Sequence, residues 1–245
     1  MIEGRVRILV ADDDLVSRLA MEDTLRAGPP ADVTVCEDGA SAWDALKTAE
    51  PFDLVCLDVR MPPPDGLELA ERIRHTPAFR RLPVMLITST ADRNTVLSAT
   101  KLQLQGFIVK PVNAETAGRV TKVIEQLDLS VLEPATTTIA RLRIDAGRHA
   151  RYVQAYVQQM QALAELAVQA DAEDALPTVR AQFIARSDAC RTASLTIGAP
   201  RLEAVIGDAV SAAAAEQPGA AMAMAQAMYW LRRVVAVRGL GAAGD

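Results

Sequence analysis

Polar residues follow several short apolar runs in the first half of the chain, and their types suit metal-dependent chemistry. Asp12–Asp14 follow the first run and Asp58 follows the third. Thr88 and Ser89 follow the fourth run, and Lys110 follows the fifth. A hard divalent cation binds oxygen ligands and relieves the repulsion between neighbouring carboxylates. The pattern therefore predicts a Mg²⁺ site, although N-capping of a helix is an alternative explanation for Asp12–Asp14 taken alone.

The apolar runs are typical of strands, and amphipathic stretches of helical period separate them. Such an alternation predicts five βα units, that is, an α/β fold with a doubly wound (βα)5 parallel sheet covered by helices on both faces. Ligands of these sheets bind at the carboxyl ends of the strands, where the residues above fall. The runs are Val6–Val10, Val33–Val35, Leu54–Leu57, Val84–Ile87 and Phe107–Val109.

From about Leu129 the strand pattern disappears. Pro134 and Thr136–Thr138 are typical of a linker, and an apolar stripe from Val153 to Ala167 then repeats with helical spacing. Pro177 begins a further helical pattern, as proline suits a first helical turn. We expect four antiparallel helices and hence an all-α four-helix bundle. The expected domains are 1–128 for the α/β domain, 129–143 for the linker and 144–240 for the bundle.

The first half resembles the receiver domain of bacterial two-component response regulators, which has a flavodoxin-like fold. The resemblance rests on four segments, Ile8–Asp14, Asp58–Gly66, Ile87–Ser89 and Lys110–Pro111. It implies that Asp58 accepts a phosphoryl group from a histidine kinase or a histidine phosphotransfer (HPt) protein. It also implies a Mg²⁺ cofactor, with ligands from Asp12, Asp13, Asp58 and the main-chain carbonyl of Arg60.

The same resemblance gives roles to three further residues. Thr88 would hydrogen-bond the phosphoryl oxygens, Lys110 would pair with them, and Phe107 falls at the position of the switch aromatic residue. Mg²⁺ and a lysine suit this reaction because they neutralise the charge that spreads over the transferring oxygens. For Phe107, an ordinary place in the core remains an alternative.

The second half resembles an HPt domain. The stripe at 153–167, the acidic turn Asp171–Asp174 and the segment Ala185–Leu202 carry this resemblance. In that family a histidine lies ten residues before a glycine. A lysine lies three residues after the histidine, and a second glycine lies four residues after it. Here Asp188, Arg191 and Thr192 occupy those positions. In the family the neutral imidazole nitrogen of the histidine is the nucleophile that forms a phosphoramidate. Because that histidine is missing here, we expect the bundle to be degenerate.

Two interpretations of Asp188 stay open. It is a solvated helix residue paired with Arg191 three residues later, or its fixed charge imitates a phosphorylated histidine at a docking surface. Neither of the two histidines, His75 and His149, occupies the acceptor position. Without neighbouring acids to hold Mg²⁺, Asp188 would be a poor phosphoryl acceptor.

Charge and composition limit the partners. Of 31 acids and 26 bases, residues 1–128 hold 20 and 15, which leaves 11 of each for residues 129–245. A neutral second half without a basic run is unlike a nucleic-acid-binding module. Apolar runs are too short to span a bilayer, so no membrane partner is expected. The three cysteines, Cys36, Cys56 and Cys190, have no CxxC spacing and indicate a reduced, cytoplasmic protein.

Together these features predict a response regulator, a signalling phosphoprotein that catalyses only its own phosphorylation and dephosphorylation. Its bundle would not transfer phosphoryl groups and would signal by contact with another protein or with a second copy. An active phosphorelay enzyme is disfavoured by the missing histidine, and a transcription factor by the neutral second half. The remaining alternatives are that the bundle mainly dimerises the receiver, or that it inhibits a histidine kinase or phosphorelay.

Overall fold

The computed structural model describes residues 5–28, 30–47, 50–90 and 92–240. The chain divides into two compact units, Arg5–Glu125 and a second unit that holds Gln126–Asp245. Both units follow the predicted fold class, an α/β domain followed by a helical region.

The first unit has one sheet of five parallel strands in the order β2-β1-β3-β4-β5. The predicted doubly wound parallel sheet is therefore confirmed. Its strands are β1 Val6–Ala11, β2 Ala31–Cys36, β3 Leu54–Asp58, β4 Val84–Thr88 and β5 Gly106–Val109. Its helices are α1 Leu15–Arg26, α2 Gly39–Leu46, α3 Gly66–His75, α4 Arg93–Lys101 and the first part of α5 Ala114–Val131.

Burial on both faces explains why the central strands are continuous apolar runs. Every residue of β3 and of β4 is buried, as expected for a parallel sheet between two helical layers. The register pairs Ile8 with Leu54 and Asp58 with Ile87, so the carboxyl ends of β1, β3 and β4 lie along one edge.

Side-chain caps fix the helices that start at this edge. The Asp14 carboxylate accepts a hydrogen bond from the Ser17 main-chain N–H at 2.7 Å and so caps α1. Asp65 and Glu68 form a capping box at the start of α3. N-capping thus explains Asp14 but not its neighbours Asp12 and Asp13.

The second unit contains the end of α5 and five further helices. α7 packs against α8 and α10, and α9 packs against the same two helices, which closes a four-helix bundle. The largest side chains of its core are Trp230, Tyr156 and Phe183. The helices are α6 Ala135–Leu142, α7 Ala146–Ala170, α8 Pro177–Ile197, α9 Pro200–Ala214 and α10 Ala220–Val237.

The segment 129–143 differs from the expected linker, because it contains the end of α5 and all of α6. Thr138 is fully buried, and its hydroxyl donates to the carboxylate of Glu133 at 2.7 Å and to the Ile197 carbonyl at 3.2 Å. Arg141 donates to the Thr196 carbonyl at 3.0 Å. These contacts satisfy carbonyl groups that the end of α8 leaves without helical partners. The second unit therefore begins before residue 144.

At the opposite end of the bundle, Asp171 connects α7 with α10. Its carboxylate accepts hydrogen bonds from the main-chain N–H groups of Gly219 at 3.0 Å and Ala221 at 2.9 Å. Asp171 therefore caps α10 from another helix, which assigns a structural role to the first residue of the acidic turn. Among the helices in the described ranges, none is both long and apolar enough to cross a membrane.

Candidate functional site

The candidate site lies at the carboxyl edge of the sheet. Asp12 directly follows β1, Asp58 is the last residue of β3, and Lys110 directly follows β5. β1 and β3 are neighbours in the sheet, so their ends bring Asp12 and Asp58 together. Asp58 lies 46 positions after Asp12 and 52 positions before Lys110, and the strand order brings the three residues together.

One ammonium group joins two buried carboxylates in this pocket. Lys110 Nζ lies 2.8 Å from Asp58 Oδ2 and 2.9 Å from Asp12 Oδ2. Asp12 is fully buried and Asp58 is 5% exposed, whereas Asp13 is exposed. Lys110 contacts both buried carboxylates, and the Arg18 guanidinium donates to the Asp12 main-chain carbonyl at 2.5 Å.

The three carboxylates fit a divalent cation. Oxygen atoms of Asp12, Asp13 and Asp58, one from each, all lie within 4.8 Å of one another. Carboxylate oxygens are the ligands that Mg²⁺ prefers, and a cation among them offsets their repulsion. The arrangement is thus able to hold Mg²⁺ with chemistry of the predicted type.

Neighbouring groups hold the two buried carboxylates in place. Asp12 accepts hydrogen bonds from the Ser17 hydroxyl at 2.6 Å and from the Asp14 main-chain N–H at 3.0 Å. The main-chain N–H of Arg60 donates to Asp58 Oδ1 at 3.4 Å. Ser17 was not predicted from the sequence; its place in the first turn of α1 after the aspartates is the signal that points to it.

Gly66 lies against the main chain of Asp58. A Cβ atom at this position would lie 2.1 Å from the main-chain oxygen of Asp58, so no side chain fits without moving that backbone. The sequence Asp65–Gly66 therefore combines a helix cap with a close approach of α3 to the end of β3.

Electrostatics explains the pKa shifts of the central pair. Burial raises the pKa of the Asp58 carboxyl; the hydrogen bond from Lys110 opposes this rise and the charge of Asp12 adds to it. Burial alone would lower the pKa of Lys110, but its hydrogen bonds to Asp58 and Asp12 outweigh this effect and the pKa is raised. Lys110 is therefore positively charged at neutral pH. A further cation beside Asp58 would favour the ionised form of the Asp58 carboxyl.

The remaining predicted receiver residues lie on β4 and β5 or in the loop after β3. Thr88 is buried, and its hydroxyl donates to the Thr90 carbonyl at 2.7 Å. Phe107 lies in β5 and is half-buried. The Arg60 guanidinium donates a hydrogen bond to the Ser89 hydroxyl, a contact between the loops after β3 and β4 that the sequence did not reveal.

The residues at the predicted HPt-like position lie in the second unit, on α8. The Asp188 side chain is 81% exposed and lies 4.0 Å from Arg191, whose guanidinium is only 2.6 Å from Glu203 on α9. The Thr192 hydroxyl donates to the Asp188 carbonyl at 3.0 Å. Among the described residues, the acidic groups close enough together to hold a metal are those of the receiver pocket and not Asp188.

Comparison with known proteins identifies the family of the first unit. Residues 8–122 match the profile of the response regulator receiver domain. The chemotaxis protein CheY-3 of Vibrio cholerae is 31% identical over 128 residues, which cover 52% of this chain and 98% of that protein. The chain therefore belongs to the response regulator receiver family, whose members are signalling proteins rather than typical enzymes.

Other relatives match the same half of the chain. A CheY homologue of Campylobacter jejuni is 31% identical over 106 residues, 43% of this chain and 82% of that protein. The 3',5'-cyclic-nucleotide phosphodiesterase regA of Dictyostelium discoideum is 38% identical over 114 residues, but these are 46% of this chain and only 14% of that enzyme. The solved structure of CheY4 from Vibrio cholerae covers 50% of this chain and 98% of its own, with 25% identity and a TM-score of 0.44.

The family assigns general properties to the first unit. Receiver domains bind Mg²⁺ at an acidic pocket and interact with histidine kinases or phosphotransfer proteins. The acidic cluster of this chain lies where the sheet topology predicts such a pocket. The family match ends at residue 122, so the bundle has to be interpreted from its own residues.

Proposed function

We propose that this chain is a cytoplasmic response regulator of a bacterial two-component or phosphorelay system, phosphorylated on Asp58. The observation that carries the proposal is the contact of Lys110 with both Asp58 and Asp12 at the carboxyl edge of the sheet. A kinase or HPt protein would supply the phosphoryl group from a histidine.

In the proposed reaction a carboxylate oxygen of Asp58 attacks phosphorus, the P–N bond to the donor imidazole breaks, and an acyl phosphate forms. Asp12, Asp13, Asp58 and the main-chain carbonyl of Arg60 would hold Mg²⁺. When bound, the ion neutralises negative charge on the transferring oxygens. Lys110 adds a fixed cation next to the attacking carboxylate.

Thr88 and Phe107 would report the phosphorylated state to the rest of the receiver. The Thr88 hydroxyl, which now donates to the Thr90 carbonyl, would turn toward the new phosphoryl oxygens. Such a movement releases the loop after β4 from its present hydrogen bond. Phe107 is half-buried and could fill the vacated space.

For the second unit we propose a non-transferring, HPt-like module that acts through contact with another signalling protein or with a second copy. At the position that the resemblance assigns to the acceptor, Asp188 is exposed, and among the described residues it belongs to no cluster of acids able to hold a metal. His149, the histidine of this unit, is 1% exposed and therefore inaccessible to a donor phosphoryl group. These two observations favour a contact module over an active phosphorelay enzyme.

Two variants of this role keep the same fold. The bundle could mainly dimerise the receiver. Alternatively, it could inhibit a histidine kinase or phosphorelay by occupying the surface at which a receiver binds. The second variant is supported by the exposed Asp188 carboxylate beside the Arg191–Glu203 pair, which offers a fixed negative charge on a helix face.

Uptake of labelled phosphoryl from acetyl phosphate, with and without Mg²⁺, tests the proposal. The unmodified chain should take up label only with Mg²⁺, and Asp58→Asn should take up none because an amide is a poor nucleophile. Asp44→Asn is the matched control, because Asp44 is an aspartate with a largely exposed side chain on α2. Equal labelling of Asp58→Asn and the control would refute Asp58 as the acceptor.

A further inference from the structure

The second half of the chain is electrically neutral, but its charges are separated along the bundle. One end is formed by the start of α7 and the ends of α8 and α10. Glu133 joins the last two, because its main-chain N–H donates to the Gly198 carbonyl and its main-chain carbonyl accepts from the Arg238 guanidinium. Its arginines are Arg141, Arg143, Arg148, Arg151, Arg201 and Arg238. We call this the basic end.

The opposite end carries acids. Asp171 connects α7 with α10 there, and Arg180 of α8 pairs with Glu216 at 3.5 Å. Glu173 and Asp174 follow Asp171 in the turn between α7 and α8. The sequence has no basic run, but helices that run antiparallel bring arginines that are distant in sequence to the basic end.

The acids of the basic end are already engaged. Glu133 binds Arg141 at 2.5 Å, and Asp145 caps α7 by accepting from the Arg148 main-chain N–H at 2.7 Å. Glu203 binds Arg191. Glu133 and Glu203 are therefore committed to Arg141 and Arg191, and the Asp145 carboxylate is committed to the start of α7.

Three of the arginines stand out. Arg143, Arg148 and Arg151 are exposed, and within the described part of the chain none of them forms an ion pair. Tyr152 is 40% exposed and lies one turn of α7 after Arg148. We call these four residues the arginine surface. Arginine and tyrosine are enriched at protein interfaces.

We infer that the arginine surface binds the receiver unit of a second copy of this chain. The inference rests on the proposed role of the bundle as a contact module and names its partner. Charge complementarity selects the receiver, because residues 5–125 hold 18 acids and 15 bases and so carry a net charge of −3. A positive surface and an acidic unit of the same chain attract one another between copies.

The receiver offers a matching surface at α1. Asp13 and Asp14 are exposed at the start of this helix. Next to them three apolar side chains are exposed, Leu15 at 57%, Val16 at 74% and Leu19 at 50%. Acids beside an apolar stripe complement arginines beside a tyrosine. If each receiver binds the bundle of the other copy, the two contacts close a twofold dimer rather than an open chain.

Sedimentation velocity of the full chain at increasing protein concentration tests the inference. The chain should dimerise at about 0.1 M salt and dissociate at about 1 M, since the screening length falls from about 10 to about 3 Å. Arg148→Glu with Arg151→Glu should weaken dimerisation at least about tenfold. Arg186→Glu with Arg232→Glu is the control, because both side chains are exposed away from the basic end and the net charge changes equally. A monomer at low salt, or equal weakening by both pairs, would overturn the inference.

A second measurement locates the contact. A photoreactive phenylalanine analogue replaces Tyr152, and isotopically heavy and light copies are mixed before irradiation. Links between heavy and light chains from position 152 to α1 support the inference. Links to the acidic end of a second bundle, links confined to one chain, or dimers that form only with added nucleic acid would each overturn it. Phosphorylation of Asp58 in the Arg148→Glu, Arg151→Glu chain shows separately whether the proposed receiver function stands.

Discussion

Lys110 Nζ lies 2.8 Å from Asp58 Oδ2, and the same ammonium group lies 2.9 Å from Asp12 Oδ2. The Lys110 ammonium group thus neutralises part of the negative charge that a bound divalent ion would also neutralise. A bound Mg²⁺ would share these carboxylates with Lys110, so changing one cation should change the affinity for the other.

Lys110→Met should increase the affinity for Mg²⁺. Its loss removes the ammonium group that contacts Asp12 and Asp58, so the carboxylates attract the ion more strongly. We expect the Mg²⁺ dissociation constant to fall about tenfold, which corresponds to about 1.4 kcal/mol. Titration calorimetry without a phosphoryl donor measures it. Lys101→Met, an exposed lysine of α4, should leave the constant unchanged. Weaker binding by the Lys110 variant would contradict the pocket electrostatics.

Gly66→Ala should impair the receiver through backbone displacement. The added methyl group would overlap the main-chain oxygen of Asp58 at 2.1 Å, so the end of β3 must move. We expect a loss of about 1–3 kcal/mol in the free energy of unfolding and slower phosphoryl uptake. Urea unfolding and the labelling assay provide the two readouts.

Gly118→Ala is the matched control for Gly66. A Cβ atom there would meet no atom of the described residues within 4 Å outside its own helix. Since glycine is a poor residue for a helix interior, this change should stabilise by about 0.5–1 kcal/mol. Equal behaviour of the two variants would show that the contact of Gly66 with Asp58 has no structural importance.

His149 should make the stability of the bundle depend on pH. It is buried, and within the described residues its Nε2 atom has no hydrogen-bond partner. Burial lowers its pKa; the charge of Glu133 opposes this shift and the charge of Arg238 adds to it. The unfolded chain therefore binds more protons below a pH of about 6.5, and the free energy of unfolding should decrease as the pH falls from about 7 to about 5.

Fluorescence of Trp230 reports on this unit once Trp43 of the receiver is replaced by phenylalanine. In that background the urea midpoint should fall on acidification, and His149→Gln should reduce the fall. His75→Gln is the control, because His75 is exposed on α3 of the receiver. An identical pH dependence with and without His149 would show that other groups dominate.

Asp188→His should not by itself restore phosphotransfer to the bundle. The branched side chain of Thr192 lies one turn away on the same helix, with its hydroxyl bonded to the Asp188 carbonyl at 3.0 Å, and it should obstruct the approach of a receiver pocket. Adding Thr192→Gly should improve transfer despite a helix cost of about 0.5–1 kcal/mol. Transfer of labelled phosphoryl from a donor receiver measures both, with circular dichroism as the folding control. Efficient transfer to the single variant would mean that only the nucleophile was lost.

The sequence predicts the fold class and the position of the pocket because both depend on local pattern. Strand-length apolar runs ending in Asp12, Asp58 and Lys110 suffice to place the three at one edge, since parallel strands end together. The pattern does not predict Thr138 as a buried residue. A threonine run next to a proline is typical of a loop, and only the unsatisfied carbonyl groups at the end of α8 explain why α6 packs there.

The arrangement of charge on the bundle was equally hidden. Arg148 and Arg238 are ninety positions apart, and the end of α10 returns to the start of α7 only because the four helices alternate in direction. A count of acids and bases along the sequence cannot reveal that separation. Likewise, the contact of Arg60 with Ser89 depends on side-chain conformations for which the sequence has no periodic signal.

The proposed receiver takes one phosphoryl group on Asp58, and its bundle takes none. Mass spectrometry of the full chain after incubation with Mg²⁺ and a phosphorylated donor, followed by peptide mapping of the stabilised acyl phosphate, measures both. We expect the added mass of a single phosphoryl group, located on the peptide that contains Asp58. A phosphoryl group on Asp188 or another residue of the bundle, or none on Asp58, would refute the proposed function.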